Sequence, residues 1–179
     1  MEIAQSHLKK HNYFNESQFE HYLKILDAEA QENQISLGAT FQLVALGAFY
    51  RGSHKVMLAK DKERANRPGY SPGSNFLASA NTRIEVRSEF HHVFQGLKHD
   101  KYFLDMMEKH FDLKDSVVHH LITAISAGLD KAIKGTLRLK QVTHYSHYFH
   151  HFKTVIDHEL TKQHVNSNLH ARDMKNFNH

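Results

Sequence analysis

The stretch ISLGATFQLVALGAFY, residues 35–50, carries no charged side chain and is apolar on nearly every side of a helix. A helix without a polar face must pack against neighbours all round, as the central member of a bundle does. Gly38, Ala45 and Gly52 recur every seven positions along it and would let another helix approach closely. The stretch is too short to cross a bilayer comfortably, since a spanning helix needs about 20 apolar residues. It therefore predicts a buried central helix in an all-α protein.

The rest of the chain predicts further helices around this one. Only two prolines occur, both in a Pro/Gly loop over 66–75, and the eight glycines are scattered, so the frequent turns of a β-sandwich are missing. Apolar residues recur elsewhere at helical spacing. We expect one domain over 1–179, a bundle of five or six helices with frayed termini at 1–14 and 164–179. The predicted helices are 15–33, 35–66, 75–95, 101–111, 115–135 and 136–163.

Capping signals mark several of the predicted helix ends. Ser17 and Glu20 have the spacing of a capping box at the start of the first helix. Asp112 or Asp115 is expected to cap the start of the fifth helix. Gly96 and Gly135 follow apolar stripes, and Gly96 is expected to bend or end its helix and Gly135 to end the helix that carries it.

Composition excludes several classes of protein. The apolar fraction of 40% and the charged fraction of 23% are those of ordinary globular chains, which argues against extended disorder. The chain has no cysteine, so disulfides, thiolate nucleophiles and cysteine zinc sites are excluded. Residues 1–14 lack the apolar core of a signal peptide. We expect a cytoplasmic protein with no membrane segment, although an effector secreted without a cleavable signal would share these features.

The last predicted helix carries two opposed stripes. Its apolar stripe is Val142, Tyr145, Phe149, Phe152 and Ile156. A histidine row starts two residues later with the same steps: His144, His147, His151 and His158. Two residues turn a helix by about 200°, so the histidine row lies on the side opposite the apolar stripe. With the apolar stripe buried, the histidine row is expected to form a partner-facing or pH-responsive face.

Two residue patterns resemble parts of metal sites, but neither predicts a metal or another cofactor. His147 and His151 are spaced to chelate one ion, but a zinc enzyme would need a third ligand and HEXXH is absent. Glu89 and His92, with Glu85 one turn earlier, form the Glu-x-x-His unit of di-iron bundles. Such a centre needs a second unit, which the chain lacks.

Arginine and histidine also occur in pairs that bear on RNA chemistry. His92 follows Arg87 after four intervening residues, and His144 follows Arg138 after five. These pairs resemble the motif of the HEPN ribonucleases, small all-helical proteins, and the polar residue usual after the arginine is present only at Ser88. The resemblance implies a metal-independent ribonuclease in which Arg87 stabilises phosphate charge and His92 acts as acid and base.

The positive charge of the chain is concentrated in one segment. Residues 51–67 carry six Lys or Arg and two acidic residues, so this segment holds the whole formal excess of +4. Such a run can follow a phosphate backbone, although a solvated helix end has the same composition. Phosphate contacts are predicted for Arg51, Lys55, Lys60, Lys62, Arg64, Arg67, Arg83 and Arg87.

The favoured interpretation is a non-catalytic helical binding component that contacts a nucleic-acid backbone or a partner protein within a larger assembly. The ribonuclease that uses Arg87 and His92 is the first alternative. An adaptor or secreted effector that docks a protein partner is the second.

Overall fold

Seven α-helices occur among the residues described by the computed structural model, which are 2–10, 14–64, 80–137 and 145–171. A short 3-10 turn at Leu97–His99 links α4 to α5. The all-α prediction is confirmed. The predicted Pro/Gly loop at 66–75 lies outside the described ranges. The helices are α1 Glu2–Lys10, α2 Glu16–Asn33, α3 Leu37–Arg64, α4 Ala80–Gly96, α5 Lys101–Phe111, α6 Asp115–Leu137 and α7 Tyr145–Lys162.

The apolar helix α3 lies at the centre of the bundle, as predicted. Residues 40–50 are all buried, and α3 packs against α1, α2, α4 and α7. The ring of Phe49 lies 6.3 Å from that of Phe90 on α4 and 4.5 Å from that of Tyr148 on α7, measured between centroids. A helix without a polar face thus supplies the core that the surrounding helices share.

Two of the small residues on α3 mark close approaches. A Cβ atom at Gly52 would lie 2.8 Å from the backbone nitrogen of Phe90 on α4. A Cβ atom at Gly38 would lie 2.8 Å from Asp157 Oδ1 and 3.1 Å from the carbonyl oxygen of Ser167. The predicted close approach of another helix is therefore confirmed at Gly52, whereas Gly38 lies against a side chain of α7 and the backbone of Ser167, beyond the end of α7.

The amino-terminal segment differs from the expectation of a frayed end. Residues 2–10 form α1, which buries Ala4 and Leu8. Oε1 of Glu29, a buried residue of α2, accepts hydrogen bonds from the backbone nitrogens of Ile3 at 2.8 Å and Ala4 at 3.1 Å. The first N–H groups of a helix have no partner within the helix and carry partial positive charge, so a carboxylate there stabilises α1.

The carboxyl-terminal segment, expected to be frayed from residue 164, also departs from that expectation, because its described part, up to residue 171, is hydrogen-bonded to the start of α3. The backbone nitrogen of Leu37 donates to the carbonyl of Leu169 at 2.7 Å, and that of Gly38 donates to Ser167 at 2.9 Å. Ala171 is buried and donates to the carbonyl of Ile35 at 3.0 Å. The segment therefore supplies acceptors for the free N–H groups at the start of α3.

The capping box of α2 lies two residues earlier than predicted. The side chain of Asn15 accepts from the backbone nitrogen of Gln18 at 2.8 Å, and the Gln18 side chain accepts from the backbone nitrogen of Asn15 at 2.8 Å. Ser17 and Glu20 have the same spacing, but they lie inside the helix. Asn caps a helix as well as Ser does, and the earlier start adds backbone hydrogen bonds.

The aspartates near residue 113 have roles other than the predicted one. Asp112 is the left-handed C-cap of α5, with φ of 58°, and Asp115 is the first residue of α6 rather than its cap. Asn and Asp tolerate the left-handed conformation better than most residues. Gly96 is the last residue of α4, as predicted, whereas α6 continues past Gly135 to Leu137.

None of the described helices is both long enough and apolar enough to cross a bilayer.

Candidate functional site

Helices α4 and α6 run antiparallel and present polar side chains to each other along one edge. On each helix these residues are four positions apart, which places them on nearly the same face. We call this set the polar seam. It consists of Arg83, Arg87 and His91 on α4 and of Ser126, Asp130 and Lys134 on α6.

Asp130 is the centre of the polar seam. Its Oδ1 accepts a hydrogen bond from Arg87 Nε at 2.8 Å and lies 2.8 Å from His91 Nε2. Burial alone would raise the pKa of Asp130, but the hydrogen bond from His91 and the charge of Arg87 outweigh it and hold that pKa below its usual value. Asp130 is therefore an anion near neutral pH, and it fixes the guanidinium of Arg87.

The other nitrogen of His91 is also engaged. Nδ1 lies 2.7 Å from the Ser126 hydroxyl. Because the Asp130 carboxylate can only accept, Nε2 carries the proton, and Nδ1 of the neutral ring accepts from Ser126. The order serine, histidine, aspartate is that of a catalytic triad, but Ser126 is only 3% exposed. A nucleophile must meet its substrate, so these bonds serve to position Arg87 rather than to activate Ser126.

A cavity of about 320 Å³ opens at one end of the polar seam. We call it the seam pocket. Three of the described residues lining it are cationic and three are apolar, and Ile84 among the latter is 62% exposed. The lining residues are Ala80, Arg83, Ile84, Arg87, Lys134 and Leu137.

Two lysines of the predicted basic segment are ion-paired between α3 and α4. Lys55 Nζ lies 3.4 Å from Glu89 Oε2, and Lys60 Nζ lies 3.2 Å from Glu85 Oε1. Their charge is compensated locally, so these two lysines present less positive potential to a polyanion than the sequence alone indicates.

The other residues of the basic segment are spread along α3 and beyond it. Lys62 is exposed, and Arg51 is half-buried. Burial and, second, the charge of Arg51 lower the pKa of His54. Arg64 is the last residue of α3, and Arg67 lies outside the described residues. The structure thus places Arg83 and Arg87 of α4 in one pocket, which Arg51, Lys55 and Lys60 of α3 do not line.

The pair proposed for RNA cleavage does not share a hydrogen bond in the structure. Arg87 contacts Asp130, whereas His92 is exposed and lines a shallow pocket with His91 and His99. A separation of five residues turns the helix by about 140° between the two side chains. The second pair, Arg138 and His144, lies outside the described residues.

The predicted orientation of α7 agrees with burial. Phe149, Phe152 and Ile156 are buried, whereas His151 and His158 are exposed. His147 is part of α7, whereas His144 lies outside the described residues. Within the described ranges, no three His, Asp or Glu side chains are grouped so that they could hold a metal ion.

Four residues of the polar seam were missed by sequence reasoning: His91, Ser126, Asp130 and Lys134. The signal that could have found them is the four-residue spacing, which continues from Arg83 and Arg87 to His91 and recurs on α6.

No protein-family model, curated protein or solved structure matches the chain.

Proposed function

We propose that the protein is a non-catalytic helical binding component that holds the phosphate backbone of a nucleic acid at the polar seam. The observation that carries this proposal is that Arg83, Arg87 and Lys134 line a single pocket. Guanidinium groups match phosphate oxygens in shape and charge, and lysine adds a mobile point charge. Contacts with phosphates supply most of the sequence-independent affinity for nucleic acids.

Charge pairing favours the polar seam over α3 as the main contact. The lysines of α3 that face α4 are compensated by Glu85 and Glu89. In the seam pocket Arg87 is likewise paired, through its Nε, with Asp130. Lys134, by contrast, is exposed, and none of the ion pairs between described residues includes it. Lys62, which is exposed on α3, is a peripheral contact in this proposal.

The engagement of the imidazole supports a binding role rather than a catalytic one. Both nitrogens of His91 have partners, Asp130 and Ser126. Ser126 is only 3% exposed, so the hydroxyl bonded to Nδ1 cannot meet a ligand as the serine of a catalytic triad does.

The test is fluorescence anisotropy of labelled single-stranded oligonucleotides at several salt concentrations, in chelator. We expect Lys134→Ala to weaken binding about tenfold, the size of one hydrogen bond to a charged group. The slope of log affinity against log salt should fall by about 0.7 for the lost phosphate contact. Lys131→Ala, an exposed lysine on the same helix, is the matched control and should change neither quantity. Equal effects of the two variants, or affinity independent of salt, would reject the proposal.

The same samples test the ribonuclease alternative. Cleavage of labelled RNA in chelator by the parent protein, with loss of cleavage in His92→Ala, would replace the binding proposal with an enzymatic one.

A further inference from the structure

We infer that the seam pocket takes the terminal phosphate of a nucleic-acid strand and packs the terminal nucleoside against its apolar wall. This inference rests on the proposed function and adds to it the recognition of a strand end.

The shape of the site favours a strand end over a continuous backbone. The volume of about 320 Å³ is at the lower limit for small-molecule sites, which span roughly 300–1,000 Å³. A pocket of this size suits one nucleotide unit. Lys55 and Lys60 on α3, which do not line the pocket, are paired with glutamates, so the positive charge is concentrated at the pocket rather than spread in a row.

The charge of the site favours a phosphate monoester over a bridging diester. Arg83, Arg87 and Lys134 line one cavity, and the carboxylate of Asp130, bonded to Arg87, offsets one of their three charges. A terminal phosphate carries about −1.5 to −2 at pH 7, whereas a bridging phosphate carries one negative charge. Because Coulombic attraction scales with the charge of the ligand, a cluster of cations at one point discriminates in favour of the terminal group.

The geometry of Arg87 prepares it for such a ligand. Asp130 engages Nε of the guanidinium at 2.8 Å, and the two terminal amino groups remain for phosphate oxygens. An arginine held in place loses less conformational entropy when it binds. Asp130 thus acts as a positioning residue for Arg87.

The apolar wall explains why the ligand is more than a phosphate ion. Ile84 is 62% exposed beside the cations, and Ala80 and Leu137 line the same cavity. A base and its sugar present apolar surface next to a terminal phosphate, so the nucleoside can cover Ile84 while the phosphate meets the arginines.

The experiment compares one single-stranded oligonucleotide in three forms: with a 5′ phosphate, with a 3′ phosphate and with neither, each labelled away from the phosphate. Anisotropy with the full chain should show that one phosphorylated form binds about tenfold more tightly than the unphosphorylated strand. This preference should disappear in Lys134→Ala and Arg87→Ala and persist in Lys131→Ala. Because Lys134 is exposed, its variant tests the site even if Arg87→Ala disturbs folding.

The outcomes separate this inference from the proposed function. Equal binding of all three strands overturns strand-end recognition and leaves backbone binding intact, whereas no binding of any strand overturns both. A preference that survives Lys134→Ala also overturns the inference. A nucleoside monophosphate should displace the preferred strand more effectively than inorganic phosphate does, and Ile84→Ala should reduce that difference. Equal displacement by the two competitors overturns the role of the apolar wall.

Discussion

At the scale of single residues, a buried histidine shows how α2 and α5 are joined. His110 on α5 is 0% exposed, and its Nε2 lies 2.6 Å from Oδ1 of Asp27 on α2. The hydroxyl of Tyr102 donates to the other oxygen of Asp27 at 2.7 Å. Burial alone would raise the pKa of Asp27, but the bonds from His110 and Tyr102 and the charge of Lys109 outweigh it and lower that pKa. Burial, and then the bond to Asp27 and its charge, raise the pKa of Tyr102 to about 12.

Removing this carboxylate should destabilise the protein in a pH-dependent way. Asp27→Ala leaves buried His110 Nε2 without its partner, so we expect the free energy of unfolding at pH 7 to fall by about 2 kcal/mol. The folded-state pKa of Asp27 is lowered, so its contribution is present above the unfolded value near 3.9 and is lost as pH falls through the folded value. The difference between parent and variant should therefore shrink below about pH 4.

Urea denaturation at neutral and acidic pH measures this effect. Asp105→Ala, at an exposed position on α5, is the control and should cost little at either pH. If the two variants unfolded at the same urea concentration at pH 7, the proposed role of Asp27 would be wrong.

At the scale of helices, the contact between α3 and α4 depends on glycine at position 52, which has no side chain. At Gly52, a Cβ atom would lie 2.8 Å from the backbone nitrogen of Phe90 and 2.9 Å from the carbonyl carbon of Glu89. Backbone atoms cannot move aside as a side-chain end can, so a methyl group there must push the two helices apart. Since α4 carries Arg83 and Arg87, this contact also sets the position of the seam pocket.

Gly52→Ala should therefore lower the free energy of unfolding by about 1–3 kcal/mol, the cost of overpacking. The cost of overpacking thus outweighs the gain in helix propensity from glycine to alanine, which is about 1 kcal/mol. Gly135→Ala on α6 isolates that gain, because nothing lies within 4 Å of a Cβ atom there, and it should raise the melting temperature. Stabilisation by both substitutions would contradict the close approach at Gly52.

At the scale of the whole molecule, the segment around residues 167–171 holds the start of the central helix. Its carbonyls accept hydrogen bonds from Leu37 and Gly38, the first two residues of α3. Residues far apart in sequence thus share one set of hydrogen bonds, which ties the end of the described chain to the core.

Deleting residues 167–179 should lower the free energy of unfolding by about 2 kcal/mol, because two N–H groups at a buried helix start lose their acceptors. Deleting only residues 172–179 keeps those acceptors and is the control. Thermal unfolding followed by circular dichroism compares the two proteins. Identical melting temperatures would show that the segment does not support α3.

The sequence by itself determined that the protein is all-helical and which helix is central, and it predicted the described helices other than α1. Residues 101–111 were predicted as a helix with the observed bounds, and 35–50 were predicted as the apolar centre. Both predictions follow from local periodicity, because a repeat of about 3.6 residues decides which face of a helix can be buried.

Only the tertiary structure decided which polar side chains meet. His91, and not its neighbour His92, lies beside Arg87, and Lys55 and Lys60 are matched by glutamates of α4. Periodicity assigns a residue to a face of its helix. Which residue lies opposite it depends on the angle and the axial register at which two helices pack. That register is set by contacts such as Gly52 against Phe90, which join residues distant in the chain.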